Sequence, residues 1–221
     1  MNNKLITPNK VISIVLFLAL AYLLPLSGNW SLLLSPQLAI LSVFSIILFL
    51  SQPQFSVSDT NQQKNNDNFS VVLILIGCLL SQVFSIVEWA YFRTEFHELK
   101  VDPLFSVGIL LLFGGTIFRI WCIRSLGKYF TATVQIQQNQ KIIKTGAYRI
   151  IRHPSYLGAY LSILGSSVIL HAYLGIVFSA IVMFAAYYYR IDTEEKTLVR
   201  EFGLEYVTYQ ARTKKLFPFV Y

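Results

Sequence analysis

Two polar clusters border long apolar segments of this chain, and their side chains are suited to binding a charged small molecule. The first cluster, residues 146–158, places two arginines, a histidine and two tyrosines directly before an apolar run. The second cluster, residues 190–195, contains Arg190, Glu194 and Glu195. Polar and ionisable groups at the mouth of an apolar helix are costly unless they have a function. The two clusters are therefore the candidate site.

Arg190 and Glu194 are four residues apart, so a helix places them on one face, one turn from each other. A guanidinium at this position can bind a carboxylate, and a carboxylate can bind an ammonium group. The spacing therefore predicts adjacent binding positions for groups of opposite charge.

Each of these residues also has a purely structural explanation. Arg190 and Glu194 could form an ordinary i,i+4 salt bridge. Arg149 and Arg152 could be positive anchors at a membrane interface, and His153 could cap a helix. The presence of both clusters at this spacing favours a binding site over the separate structural explanations.

The elements that carry the clusters are membrane helices by composition. Of the 221 residues, 55% are hydrophobic and 13% charged, and the mean hydropathy is +0.56. A soluble domain carries about twice that charged fraction, and a bilayer core needs about 20 residues of helix. The apolar residues form six runs, at 11–26, 32–50, 71–92, 104–123, 156–170 and 173–189. We predict an all-α, multi-pass transmembrane protein of about six helices, ending in a helical hairpin.

The first run follows basic residues and has the apolar core of a signal peptide. No small-x-small cleavage motif follows it, and the next run begins within six residues. The sequence therefore favours an uncleaved helix.

The net charge of +7 is explained by membrane topology. With a cytoplasmic N-terminus, 16 of the 18 basic residues fall in cytoplasmic segments, and only Arg93 and Lys100 lie outside. The positive-inside rule thus places both termini and both clusters in the cytoplasm. The membrane would be the inner membrane of a bacterial cell or the endoplasmic reticulum of a eukaryote. Anionic lipid accounts for the basic excess, so no nucleic acid partner is predicted.

The sequence predicts neither a metal site nor a disulfide. His97, His153 and His171 are isolated and lack cysteine partners at metal-ligand spacing. Cys78 and Cys122 fall within apolar runs and are expected to be buried free thiols. We expect His97 and His171 to be structural.

Residues 1–123 are predicted to form four N-terminal transmembrane helices with a polar loop at 51–70, and residues 124–221 to form the catalytic core. The polar loop is rich in Asn, Gln and Ser and is expected to be a flexible connector without a function. Polar and apolar residues alternate over residues 131–137, as in a β-strand. We expect this segment to lie on the cytoplasmic face of the membrane. Residues 192–209 are predicted to form one amphipathic helix.

Four residues of the N-terminal helices stand out. Gly108, Gly114 and Gly115 are expected to allow close helix packing. Glu88 is ionisable at membrane depth, although it adjoins Trp89 near the outer edge.

The clusters together form a recognisable pattern. It runs Gly146-x-Tyr148-x-x-x-Arg152-His153-Pro154-Ser155-Tyr156-x-Gly158 and then Glu194-Glu195-x-x-Leu198-x-x-x-Phe202-Gly203-x-x-Tyr206-x-x-Tyr209-x-x-Arg212. This pattern resembles the isoprenylcysteine carboxyl methyltransferase family, and related membrane phospholipid N-methyltransferases share the core. The resemblance covers residues 120–218. Each motif alone is a weak indicator of the family, but the two motifs in this order, on the two sides of a helical hairpin, are specific.

The resemblance implies S-adenosylmethionine as methyl donor, bound in a cytoplasmic pocket that the C-terminal segments cover. It also implies an opening through which a lipophilic acceptor enters from the bilayer. The cofactor-binding positions that it implies are Gln140, Lys141, Ile142, Ile143, Tyr148, His153, Pro154, Ser155, Tyr156 and Glu194. An upstream glutamine contributes as well, with Gln135 the best match and Gln137 the alternative.

The resemblance further implies that Arg190 touches the carboxylate of the acceptor, which makes it the predicted catalytic residue. Arg212 is a second predicted acceptor-binding residue. Many relatives have histidine where Gln140 stands. Glutamine keeps a donor and an acceptor but carries no charge, which disfavours an acid–base role there.

The residue types independently suit this chemistry. Glu194 suits the ammonium of the cofactor, His153 and backbone amides suit its carboxylate and adenine edge, and Tyr148 and Tyr156 suit its adenine or sulfonium. A carboxylate acceptor is already a nucleophile near neutral pH, so no general base is required. Alignment and desolvation can contribute roughly 7–11 kcal/mol, and Arg190 would orient the acceptor by a bidentate contact.

The leading hypothesis is an integral membrane methyltransferase that uses S-adenosylmethionine to methylate the carboxylate of an isoprenylcysteine-like lipophilic acceptor. Rivals within the same class methylate a phospholipid amine or a small lipophilic thiol or phenol; an amine would need a base, and none stands out. A non-catalytic membrane scaffold of the same fold is the alternative from another class. The expected partners are a lipophilic or prenylated acceptor and membrane lipid, and the sequence does not specify an oligomeric state.

Overall fold

The computed structural model describes residues 8–51, 68–131 and 139–218. Within these ranges the chain forms seven α-helices, and the predicted all-α fold is confirmed. They are α1 (Pro8–Leu18), α2 (Pro36–Ser51), α3 (Asn68–Phe92), α4 (Pro103–Leu126), α5 (Pro154–Ile169), α6 (Tyr173–Phe202) and α7 (Leu204–Arg212). A π-helical turn, Ala19–Leu23, continues α1, and a 3₁₀ turn, Trp30–Leu34, precedes α2. The six predicted apolar runs correspond to α1 through α6.

Three helices of the described chain are long and apolar enough to cross a membrane, namely Phe69–Phe92, Pro103–Tyr129 and Tyr173–Phe202. The apolar helices Pro8–Leu23 and Pro36–Ser51 are shorter. Large apolar side chains point outward on the long helices, including Leu110, Ile117, Leu174 and Ile181. Such a surface is suited to lipid, and the protein is an integral membrane protein.

Helices α4 and α5 pack closely because glycines line their contact. A Cβ atom added at Gly115 would lie 2.6 Å from the carbonyl oxygen of Gly158, and one added at Gly108 would lie 2.8 Å from the amide nitrogen of Ile169. The predicted close packing is therefore confirmed for Gly108 and Gly115. It is wrong for Gly114, because a Cβ there would have no neighbour within 4 Å.

Glu88 connects α3 to the start of α6. Its carboxylate accepts hydrogen bonds from the amides of Leu174 at 3.2 Å and Gly175 at 2.7 Å. It also pairs with Arg93 at 3.3 Å. The first amides of a helix have no partner within the helix, so Glu88 stabilises the beginning of α6.

The two histidines expected to be structural are held at the opposite end of the bundle from the polar clusters. His171 Nε2 lies 2.8 Å from Asp102 Oδ2, and His97 Nε2 lies 3.2 Å from the carbonyl oxygen of Trp89. Asp102 also accepts a hydrogen bond from the amide of Phe105 at 2.7 Å, which caps α4. This amide, together with His171, holds the pKa of Asp102 below its usual range.

The prediction of one amphipathic helix over residues 192–209 is wrong. Helix α6 continues to Phe202, and α7 begins at Leu204 after a break at Gly203. Gly203 has φ +52°, a conformation that glycine adopts without the cost that other residues incur. The break turns Tyr206 and Tyr209 inward, where both are buried.

The bounds predicted for the polar loop, 51–70, overlap two helices. Ser51 belongs to α2 and α3 begins at Asn68, while residues 52–67 lie outside the described residues. Ser70 is fully buried in the first turn of α3. The β-like alternation predicted at 131–137 falls almost entirely on residues 132–138, which are outside the described residues.

Candidate functional site

A cavity lies where α4 ends, α5 begins and α6 passes. Seven of the predicted site residues line it, namely Gln140, Tyr148, His153, Ser155, Tyr156, Arg190 and Glu194. The two polar clusters therefore meet at one cavity, although the helical hairpin separates them along the chain.

The first cluster reaches the cavity through a tight turn followed by a helix start. Gly146 has φ +59° and opens a 3₁₀ turn that ends at Arg149. Pro154 then occupies the first turn of α5, where its missing N–H costs nothing and its fixed φ favours the helix. His153 precedes it but makes no side-chain capping hydrogen bond. His153 therefore occupies the N-cap position of α5, but its side chain does not cap the helix.

Tyr148 is held rigidly at the wall of the cavity. Its hydroxyl donates to the carbonyl oxygen of Cys122 at 3.3 Å, and its own carbonyl oxygen accepts from the hydroxyl of Tyr209 at 2.6 Å. Burial raises the pKa of Tyr148 well above its usual range, so the phenol stays protonated. Tyr148 therefore presents a neutral aromatic surface to the cavity.

Arg190 and Glu194 do lie on one face of α6, as predicted, and Tyr156 lies between them. Arg190 Nε donates to the Tyr156 hydroxyl at 3.1 Å, and this hydroxyl donates to Glu194 Oε2 at 2.8 Å. The direct distance between Arg190 Nε and Glu194 Oε2 is 3.9 Å. The arginine is 2% exposed, whereas the glutamate side chain is 29% exposed. The phenol thus mediates most of the contact that a simple i,i+4 salt bridge would make directly.

Arg152 forms a buried ion pair beside the cavity. Its Nε lies 2.5 Å from Glu195 Oε1, and both side chains are less than one-tenth exposed. His153 Nε2 lies 3.3 Å from the same carboxylate oxygen. The explanation of Arg152 as a membrane-surface anchor is therefore wrong. Arg149, in contrast, is exposed.

The C-terminal segment supports the first cluster from behind. Arg152 Nη1 donates to the carbonyl oxygens of Gln210 at 3.1 Å and Thr213 at 2.5 Å. The backbone amide of Arg152 also donates to the carbonyl oxygen of Lys214 at 2.8 Å, and the amide of His153 donates to that of Lys215 at 3.1 Å. These bonds fix residues 150–153 against the segment that follows α7.

Other predicted site residues lie away from the lining of the cavity. Lys141 and Arg212 are exposed, and Ile142 and Ile143 are half-buried. Pro154 is fully buried as part of α5. Contact of these five residues with a ligand stays a prediction. Gln135 and its alternative Gln137 are outside the described residues.

Sequence reasoning missed several residues of the site. Leu126, Tyr129, Phe130 and Thr131 line the cavity after the end of α4, and the aromatic pair 129–130 directly after an apolar run was the available signal. Ser70 was assigned to a loop without function, yet its hydroxyl accepts from Arg190 Nη1 at 2.9 Å. No local pattern distinguishes this serine from others in α3.

Comparison with known proteins finds similar sequences and a similar fold. Residues 107–200 match the model of the isoprenylcysteine carboxyl methyltransferase family. Protein-S-isoprenylcysteine O-methyltransferase B of Arabidopsis thaliana is 28% identical over 181 residues, which are 80% of this chain and 92% of the relative. The protein-S-isoprenylcysteine O-methyltransferase of Saccharomyces cerevisiae is 31% identical over 146 residues, which are 62% of this chain and 61% of the relative.

The fold is also similar to that of a eukaryotic intramembrane Ras methyltransferase, an isoprenylcysteine carboxyl methyltransferase, with a TM-score of 0.63. The two chains are 22% identical, and the match covers 96% of this chain and 75% of the other. The matched family residues include most of α4, all of α5 and nearly all of α6, with both polar clusters. The resemblance seen in the sequence is confirmed as a match of residues 107–200 to the model of the isoprenylcysteine carboxyl methyltransferase family.

Proposed function

We propose that the protein transfers a methyl group from S-adenosylmethionine to the carboxylate of an isoprenylcysteine-like lipophilic acceptor. The observation that carries this proposal is the meeting of Arg190 and Glu194, joined by Tyr156, at one cavity in a membrane protein. The curated relatives are named protein-S-isoprenylcysteine O-methyltransferases. Their names support an enzyme over a scaffold and a carboxylate over the other acceptors.

The residues of the cavity fit the proposed cofactor. Glu194 is partly exposed at the cavity and carries a carboxylate that suits an ammonium group. Tyr148 and Tyr156 offer aromatic faces for adenine or for a sulfonium. Gln140 and Ser155 add neutral hydrogen-bonding groups. These residues combine one carboxylate with aromatic and neutral polar groups that suit a cationic nucleoside, and Arg152, His153 and Arg190 line the same cavity.

The residues on the acceptor side fit a carboxylate better than an amine. Arg190 is a buried cation at the wall of the cavity, so it attracts a carboxylate and repels an ammonium group. Its planar guanidinium can form two parallel hydrogen bonds with a carboxylate. This electrostatic preference favours carboxyl methylation over the methylation of a phospholipid amine.

The environment below the cavity suits an apolar chain. Tyr156 stacks on Tyr187 with ring centroids 5.2 Å apart. Both rings belong to an apolar cluster that also contains Leu157, Met183 and Ile191. An acceptor with a carboxylate and a long hydrocarbon tail can place the carboxylate at Arg190 while the tail remains in apolar surroundings.

The mechanism requires alignment rather than proton transfer. S-adenosylmethionine, when bound, would supply an electrophilic methyl group attached to a positively charged sulfur. Arg190 binds the acceptor carboxylate and directs one of its oxygens toward the cavity, while burial excludes the water that would otherwise solvate it. Tyr156 keeps Arg190 and Glu194 at a fixed separation, so the two bound groups are held in a constant relative position.

We further propose that the cavity faces the cytoplasm. Exposed basic residues surround the end of the bundle where the cavity lies, including Lys141, Lys144, Arg149 and Arg212. The positive-inside rule assigns such an end to the cytoplasmic side.

A methyltransfer assay tests the proposed function directly. Purified protein in lipid nanodiscs is incubated with radiolabelled S-adenosylmethionine and one of three acceptors, an N-acetylated farnesylcysteine, phosphatidylethanolamine or a lipophilic phenol. We expect a base-labile methyl ester on the farnesylcysteine alone. The matched control is the farnesylcysteine amide, which lacks the carboxylate and should remain unlabelled. Absence of cofactor binding by calorimetry would contradict the enzyme hypothesis as a whole.

A further inference from the structure

Arg190 has a hydrogen-bond partner outside the part of the chain that matches the family. Its Nη1 donates to Ser70 Oγ at 2.9 Å, across 120 positions of sequence. Ser70 lies in the first turn of α3 and is fully buried, and Arg190 is 2% exposed. Hydrogen bonds to charged groups contribute more than those between neutral groups. The contact is therefore strong enough to influence where the guanidinium points.

The packing of α3 against α6 keeps this contact in register. Next to it, the ring of Phe69 meets the ring of Tyr189 edge-on, with centroids 5.6 Å apart. Two turns further along, a Cβ added at Gly77 would lie only 3.2 Å from Met183 Sδ. Because α3 and α6 are in contact at Phe69 and at Gly77, on the two sides of Ser70, α3 cannot slide along α6 without disturbing the position of Arg190.

Ser70 and Tyr156 bind different nitrogens of the same guanidinium. Tyr156 accepts from Nε at 3.1 Å, and Ser70 accepts from Nη1 at 2.9 Å. Two bonds at separate positions fix both the direction and the plane of this flat group. A guanidinium forms parallel hydrogen bonds with a carboxylate only in a matching plane, and small errors in orientation lower the rate of a reaction strongly.

We infer that Ser70 is a positioning residue that acts through Arg190, and that α3 thereby completes the acceptor side of the site. The inference rests on the proposed function, because that function gives Arg190 its acceptor. It divides the work between residues: Glu194 of α6 recognises the donor, whereas Ser70 of α3 and Tyr156 of α5 orient Arg190 toward the carboxylate of the acceptor. Loss of the Ser70 hydroxyl should therefore impair acceptor use and spare donor binding.

The test compares Ser70→Ala with Ser70→Thr and with a matched control, Ser81→Ala. Ser81 lies in the same helix and is also fully buried, and its hydroxyl makes no hydrogen bond within the described structure. Binding of S-adenosylhomocysteine is measured by calorimetry, and kcat and KM are measured against the N-acetylated farnesylcysteine. We expect Ser70→Ala to lower kcat/KM for the acceptor about tenfold, with the Kd of S-adenosylhomocysteine changed less than about twofold. Ser70→Thr should restore most of the activity, and Ser81→Ala should behave like the wild type.

Three outcomes overturn the inference. Equal acceptor kcat/KM values for Ser70→Ala and Ser81→Ala would show that the hydroxyl does not position Arg190. A parallel loss of donor binding and thermal stability in Ser70→Ala, without rescue by Ser70→Thr, would show a general structural role. In both of these outcomes the wild-type protein still methylates the farnesylcysteine, so the proposed function stands. Wild-type protein that leaves the farnesylcysteine unmethylated overturns the proposed function, and the inference with it.

Discussion

In the proposed function, single residues divide the binding of donor and acceptor, because Glu194 and Arg190 carry opposite charges one helical turn apart. Substitution of Glu194 by Gln removes the negative charge and keeps the shape of the side chain. A charge-assisted hydrogen bond contributes about 1.5–3 kcal/mol, so the Kd of S-adenosylmethionine should rise about 10- to 100-fold. Calorimetric titration of the variant measures this loss. The matched control is Glu205→Gln, since Glu205 is exposed and paired with Lys144 at a distance from the cavity; an equal loss in the control would contradict the assignment.

Arg190 should show the opposite pattern. Substitution by Lys keeps the positive charge but removes the planar fork that orients a carboxylate. Lysine also cannot reproduce the two hydrogen bonds that Arg190 donates to Tyr156 and Ser70. We expect kcat/KM for the acceptor to fall about 100-fold while donor binding stays within about twofold. Steady-state kinetics and calorimetry on one preparation separate the two effects. A loss of donor affinity as large as the loss of kcat/KM for the acceptor would mean that Arg190 does not act specifically on the acceptor.

At the scale of elements, the first polar cluster lies at the start of α5, and α5 packs closely against α4. The neighbouring glycines of α4 offer a matched comparison. An added Cβ at Gly115 would lie 2.6 Å from a carbonyl oxygen of α5, whereas Gly114 has open space. Gly115→Ala should lower the stability by about 1–3 kcal/mol through overpacking. Gly114→Ala should leave it equal or slightly higher, because alanine has the better helix propensity. Thermal unfolding in detergent, followed by circular dichroism, compares the two variants, and equal midpoints would contradict the packing.

Arg152 and Glu195 form a buried ion pair that connects the start of α5 with α6. Arg152 also bonds to the C-terminal segment, so the pair stabilises the fold around the site. Removing one partner of a buried ion pair leaves an uncompensated charge and costs about 3–5 kcal/mol. Arg152→Gln should therefore lower the unfolding midpoint strongly. Lys144→Gln breaks an exposed pair instead and should cost about 0–1 kcal/mol. Similar midpoints for the two variants would show that the buried pair does not secure this part of the fold.

The features that the sequence predicts correctly are local ones. The helical hairpin follows from two apolar runs with a two-residue gap, and the position of Arg190 beside Glu194 follows from helical spacing. The features that it misses depend on contacts between distant segments. The partnership of Arg190 with Ser70 and the burial of Arg152 against Glu195 arise only when α3, α5 and α6 come together. The break at Gly203 was also missed, because the apolar spacing on its two sides continues without a visible shift in sequence.

At the scale of the whole molecule, the cavity lies at the end of the bundle that carries most of the exposed positive charge. The opposite end holds Arg93 and Lys100 together with the acidic residues Glu95, Glu98 and Asp102. This asymmetry predicts a cytoplasmic cavity, because basic residues flanking membrane helices remain preferentially on that side. A cytoplasmic site would also give direct access to a water-soluble donor, while the proposed acceptor would reach Arg190 from the bilayer.

Single cysteines at the two ends test this orientation. The native thiols Cys78 and Cys122 are first replaced by alanine, and either Lys144→Cys or Glu98→Cys is then added; both added positions are exposed. Sealed vesicles of both orientations are prepared from expressing cells and treated with a membrane-impermeant maleimide. We expect Lys144→Cys to react only in inside-out vesicles and Glu98→Cys only in right-side-out vesicles, because the bilayer separates the two ends. The reverse pattern would place the cavity on the outer face, contrary to the positive-inside rule, where a cytoplasmic methyl donor could not reach Glu194.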